Sequence, residues 1–123
     1  MIVFISGHLD VTAEEFAEHY LPRLEQHLLA GDEFVVGDAR GADAMAQQFL
    51  KSRNAKVTVF HMREKPRNNV DFPTKGGYKS DDERDAAMTA ASNTDVAWVR
   101  PGREKSGTAR NLQRRLKPAS TAG

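Results

Sequence analysis

The chain contains no cysteine, which excludes disulfides, thiolate nucleophiles and cysteine-ligated metals together. An excess of charge of one sign is also missing. Eighteen Lys and Arg residues face 17 Asp and Glu residues for a formal net charge of +1, so overall charge does not call for a nucleic-acid partner. No apolar run reaches the length of a membrane span. The stretch MIVFISGHLD at the N-terminus is too short, with no basic region before it and no small-residue cleavage site after it, so no membrane partner and a cytoplasmic location are expected. The four histidines His8, His19, His27 and His61 show no metal-ligand spacing such as HExxH; no metal and no cofactor are expected. Internal repeats and low-complexity tracts are absent.

What remains is one domain's worth of alternating pattern. At 123 residues the chain has room for one hydrophobic core. Four short runs rich in β-branched or aromatic residues, Ile2 to Ile5, Phe34 to Val36, Val57 to Phe60 and Val96 to Val99, fit buried strands. Helical spacing separates them. Thr12 and Glu15 form a capping box ahead of Phe16, Tyr20, Leu24 and Leu28, and Pro22 predicts a break near Tyr20. Further helices are expected after the second strand, over 81–91 and over 108–116. Such alternation predicts an α/β fold with a mainly parallel sheet of about four strands, and right-handed crossovers give the order 3-2-1-4. The domain is read as 1–116, with a flexible tail over 117–123. Residues 62–82, with two prolines, paired glycines and paired asparagines, fit no element and are read as either a lid over a site or a surface insertion.

Three segments leave strand ends toward one edge of such a sheet: Ser6-Gly7-His8, then Gly37-Asp38-Ala39-Arg40-Gly41-Ala42-Asp43, then PGREKSGT from Pro101 to Thr108. In the last two, glycines precede a helix, so free N–H groups and the positive helix end can face an anion. Ser106, Gly107 and Thr108, with Lys105 close by and no carboxylate among them, make the better phosphate cradle. Asp38 is expected to face a ligand's ribose or base, Asp43 to cap the helix, and Arg40 either to brace the loop by pairing with Asp38 or Asp43 or to face the ligand. His8 is read as either a phosphate donor or a simple loop histidine. The C-terminal quarter is basic, with Arg100, Arg103, Lys105, Arg110, Arg114, Arg115 and Lys117 against Glu104. It lacks the interleaved aromatics that stack bases, so nucleic-acid binding ranks third among the functional readings.

The segments GDARGADAMA, ERDAAMTAASNTDVAWVRPG and SGTARNL resemble the SLOG superfamily, and within it the small YspA-like group, also called DUF2493 or cpYpsA-related. The resemblance runs from Ile2 to about Leu116. It implies a Rossmann-like fold whose Gly-rich loops bind a nucleotide or nucleotide-derived ligand, and superfamily members are often homodimers; the three segments supply the expected ligand-binding residues, Ser6, Gly7, His8, Gly37, Asp38, Arg40, Gly41, Asp43, Pro101, Gly102, Lys105, Ser106, Gly107 and Thr108. It extends to the lonely-guy type phosphoribohydrolases, which cleave the N-glycosidic bond of nucleoside monophosphates. Their arginine corresponds to Arg84 and their PGGxGTxxE loop to Pro101, Gly102, Gly107 and Thr108. The loop is longer here, and the glutamate position is Asn111. An amide stabilises an oxocarbenium-like state poorly. In the alternative, hydrolytic reading, Asp38, Asp43 or Glu83 supplies the carboxylate and Arg84 helps hold phosphate, with Asp38 and Arg84 the expected catalytic pair.

Overall fold

Alternation along the first strand, β1 (Ile2–Ser6), decides the layering. Val3 and Ile5 enter one apolar cluster and Phe4 another, as a strand covered on both faces requires. The same division holds for β2 (Glu33–Gly37), with Phe34 and Val36 opposite Val35, and for β3 (Val57–Met62), with Val57 and Val59 opposite Phe60. Helices α1 (Ala13–His19), α2 (Leu21–Leu29) and α3 (Ala42–Ser52) cover the first face through Phe16, Leu24, Ala46 and Leu50. On the other face lies α4 (Asp81–Ala90), which inserts Met88, and α5 (Gly107–Leu116) packs against α4 and the strand β5 (Thr94–Ala97). These assignments come from a computed structural model that describes residues 1–116. The tail expected over 117–123 lies outside the described residues.

The sheet has five strands in the order β4-β3-β2-β1-β5, every neighbouring pair parallel. This corrects the expected four strands in the order 3-2-1-4. The addition is β4 (Thr74–Tyr78), which lies inside the stretch read as having no element and pairs with β3 at the sheet edge. Its sequence TKGGY has neither an apolar run nor two-residue alternation, and four of its five residues are exposed. Nothing in such a strand carries a burial signal. Gly76 lies against His61 so closely that a Cβ would run into the imidazole, which accounts for a small residue there.

Two local features position the site. The capping box at Thr12 and Glu15 is present, and the chain breaks at Tyr20, which ends α1 and precedes α2 with Pro22 in its first turn. Tyr20 is buried, and its hydroxyl donates to the Ser6 carbonyl at 2.7 Å and accepts the Trp98 N–H at 3.2 Å. That bridge ties the ends of β1 and β5 together. It also takes Trp98 out of the sheet, so the last core strand covers Thr94–Ala97 rather than the expected Val96 to Val99. Among the described residues, no helix is long and apolar enough to cross a membrane.

Candidate functional site

Crossovers from β1 lead toward β2, β3 and β4, whereas the chain returns from α4 to β5 on the other side of β1. The carboxyl ends of β1 and β5 therefore bound a crevice, the position at which open α/β sheets bind ligands. A cavity of about 470 Å³ occupies it. Segments following β1, β2 and β5 contribute to its wall, together with the first turns of α3, α4 and α5.

Of the residues expected from sequence, the cavity brings together Ser6, Gly7 and His8 from the first segment, Arg40 and Asp43 from the second, Ser106, Gly107 and Thr108 from the third, and Arg84 from α4. Gly37, Asp38, Gly41, Pro101, Gly102 and Lys105 are not among its lining residues. Gly7 is held by close approach, because a Cβ would collide with the Tyr20 hydroxyl and the Ala42 methyl. Gly41 is the N-cap of α3 at φ +73° and faces the carbonyls of His8 and Leu9, so it fixes the turn without reaching the cavity. Pro101 and Gly102 form an exposed turn in which the Gly102 N–H donates to Glu104 at 2.8 Å. Ser106 precedes α5, and its hydroxyl accepts the Ala109 N–H at 3.2 Å, leaving the first turn of that helix facing the cavity.

His8 is buried, and its Nε2 accepts the Arg100 backbone N–H at 2.9 Å. The proton of the neutral ring is therefore on Nδ1. Burial, followed by the charges of Arg100 and Arg103, lowers its pKa and keeps the ring neutral. It forms a T-shaped pair with the Trp98 ring, which also stacks on His19 with centroids 4.1 Å apart.

Asp38 is the hub of the inner wall. It is 1% exposed, and its carboxylate accepts from the Arg67 backbone N–H at 2.8 Å, from Arg67 Nε at 3.1 Å and Nη2 at 2.9 Å, and from Arg84 Nη1 at 2.8 Å. Burial pushes its pKa up, but these hydrogen bonds and the charges of Arg67 and Arg84 outweigh it and hold the group below the ordinary value. Asp38 thus binds arginines rather than lining the space. Arg84 also holds Asp85 through Nε at 3.1 Å and Nη2 at 3.0 Å, and Asp81 through Nη1 at 3.1 Å. The stretch read as a lid or a surface insertion is strapped down at the same place. Asn68 Nδ2 donates to the Asp38 carbonyl at 3.0 Å, and Gln47, buried in α3, donates to the Asn68 carbonyl and accepts the Val70 N–H, both at 3.1 Å.

Asp43 stands apart from this network. It is buried, lines the cavity, and accepts one backbone N–H, from Ala39 at 3.3 Å. Burial pushes its pKa up to about 7, and Arg84 opposes this only in part. Arg40 is exposed at the cavity and, among the described residues, pairs with neither Asp38 nor Asp43.

Sequence reading missed Asp10, Arg67, Asp81, Asp82 and Asp85, all of which line the cavity. The one available signal was the DDERD run beginning at Asp81: helical spacing puts Asp81, Arg84 and Asp85 on one face. Asn111, at the expected glutamate position, donates to Asp85 at 3.1 Å and accepts from Arg114 at 2.6 Å. The basic C-terminal stripe is largely committed within the molecule. Arg115 binds Asp95, Ser92 and the Thr89 carbonyl, Arg100 binds Glu15 and Asp10, and Arg103 binds Asp10.

The fold and the crevice define an α/β protein, broadly Rossmann-like, with a parallel five-stranded sheet and a cavity of paired arginines and carboxylates at its carboxyl edge. Comparison with models of known protein families, with curated proteins and with solved structures finds no match.

Proposed function

We propose that the chain binds a nucleotide or nucleotide-derived ligand in this crevice, as a member of the SLOG superfamily related to its YspA-like group. The observation that carries the reading is the convergence, in one cavity, of the Ser106-Gly107-Thr108 turn opening α5 with the Ser6-Gly7-His8 turn closing β1. Beyond the Ala109 N–H that Ser106 caps, the first turn of α5 has N–H groups with no intrahelical acceptor, which suit a phosphate, and Arg40, exposed at the same cavity, adds a cation. Arg67, from the strap, lines one wall.

Gly107 gives the test. A Cβ placed there comes no closer than 3.6 Å to another residue, the Arg110 side chain, so Gly107→Ala keeps the fold while blocking approach to the helix end. Nucleoside mono- and diphosphates at about one hundred times their dissociation constant are expected to stabilise the protein by roughly 2.7 kcal/mol. In Gly107→Ala the affinity should fall roughly tenfold, or about 1.4 kcal/mol, with the unliganded melting temperature little changed. A panel in which no nucleotide raises the melting temperature sinks the reading.

One observation favours a second, hydrolytic reading. Asp43 carries a carboxyl held protonated close to neutrality and shares the cavity with Asp85, and carboxyls in contrasting environments divide acid and base roles. On this reading Asp43 is the acid in cleavage of a nucleoside monophosphate's N-glycosidic bond, and Asp38 and Arg84 hold the wall behind it. Chromatography for free base, with Asp43→Asn as the control, decides: base released by the native chain and not by the variant supports hydrolysis, and no release leaves binding alone.

A further inference from the structure

The cavity changes character between its buried floor and its exposed rim. The buried lining residues, which make up the floor, are Phe4 and Met88, each 1% exposed, with Ser6, Asp43 and Thr108. Ser6 is more than nine-tenths buried, and its Oγ has no hydrogen-bond partner among the described residues. A buried hydroxyl left in that state is unfavourable, and a group that pairs with it is correspondingly selected. Asp43 Oδ2 accepts from Ala39, and no partner for Oδ1 is found among the described residues.

An anion is a poor occupant for this floor. The buried cation beside it, Arg84, is already shared among Asp38, Asp81 and Asp85, and a phosphate desolvated there would face the carboxyls of Asp43 and Asp85. Cations with exposed side chains, Arg40, Arg103 and Arg110, stand at the rim instead. A neutral group that both donates and accepts fits the floor, because a hydroxyl can satisfy Ser6 Oγ in either sense and can meet the Asp43 carboxyl in either protonation state. Phe4 and Met88 then cover an apolar ring face.

We propose that the floor of the cavity receives the uncharged 2,3-diol of a ribose ring, with Ser6 Oγ on the 2-hydroxyl and the Asp43 carboxyl on the 3-hydroxyl, while the phosphate remains at the α5 rim. This inference rests on the nucleotide-binding reading and adds which end of the ligand is buried. It also makes the protein selective for ribose over deoxyribose, because a site built around a hydroxyl leaves its own polar groups unpaired when that hydroxyl is missing.

Calorimetric titration with ribose 5-phosphate, 2-deoxyribose 5-phosphate, inorganic phosphate and matched ribo- and deoxyribonucleoside monophosphates tests it. Ribose compounds should bind roughly tenfold or more tightly than their deoxy counterparts. Ser6→Ala, which removes an atom with no hydrogen-bond partner among the described residues, should bring that ratio to about one, with the unliganded melting temperature equal or higher. Equal affinities for ribose and deoxyribose compounds in the native chain overturn the inference and leave nucleotide binding standing. An undiminished ratio in Ser6→Ala overturns it as well. Failure of every phosphorylated compound to bind removes both.

Discussion

Asp43 is the side chain whose surroundings demand most of the fold. A Cβ at Gly37 would fall within reach of its Oδ2, so the strand end is kept bare to admit it. The folded-state pKa, raised to about 7 from an ordinary 3.8, has a definite consequence for stability. Between those values the folded chain holds a proton that the unfolded chain has released, so this group's contribution is fully present below about pH 4 and is lost as pH rises through 7. Urea denaturation of the native chain and of Asp43→Asn across pH 4 to 8 isolates the contribution. The difference in midpoint between the two should move in favour of Asn as pH rises; a difference that stays flat with pH would show that the buried carboxyl does not retain its proton. Asp43 and Asp38 also show what was illegible in the sequence. Both flank Arg40, but Asp38 meets Arg67 and Arg84, 29 and 46 positions away. No local spacing reveals which of two neighbouring carboxylates acquires distant partners.

Elements whose signals are local were legible. The capping box, the break at Tyr20 and the buried strands β1, β2 and β3 all follow from periodicity and turn chemistry within a few residues. Strand β4 was not, because its pairing with β3 is supplied by the partner strand and four of its five residues are exposed. Glycine gives a sharper contrast. Gly31 and Gly41 both adopt positive φ, +76° and +73°, yet a Cβ at Gly31 meets nothing within 4 Å whereas one at Gly41 runs into the carbonyls of His8 and Leu9. Gly31→Ala is therefore expected to cost only the left-handed backbone penalty, roughly 1–2 kcal/mol. Gly41→Ala should cost more than this and loosen the Ser6-Gly7-His8 turn as well. Chemical denaturation of the two variants side by side checks the order, and equal losses would contradict the close packing of α3's first turn against that segment.

For the molecule as a whole, the basic C-terminal quarter serves cohesion. Sequence composition registers seven cations near one end; the fold shows Arg115 making five hydrogen bonds to Asp95, Ser92 and Thr89 and so riveting α5 to the link between α4 and β5. A charge run reads as a surface until the fold supplies its partners. Arg115→Ala is expected to lower the melting temperature markedly, as loss of a partly buried arginine network does, and to leave retention on immobilised nucleic acid at moderate salt unchanged. Retention that falls with no loss of melting temperature would revive a nucleic-acid role.

Trp98 is the single tryptophan of the chain. Its indole stacks on the imidazole of His19 at 4.1 Å and meets the cavity-lining His8 in a T-shaped pair at 6.1 Å, while its backbone N–H hangs on Tyr20, which also holds the end of β1. Any occupant that shifts His8 or the Ser6 carbonyl changes the surroundings of the one strong ultraviolet emitter in the protein. The native chain thus carries its own optical probe, and filling of the crevice can be followed by its emission without dye, tag or substitution.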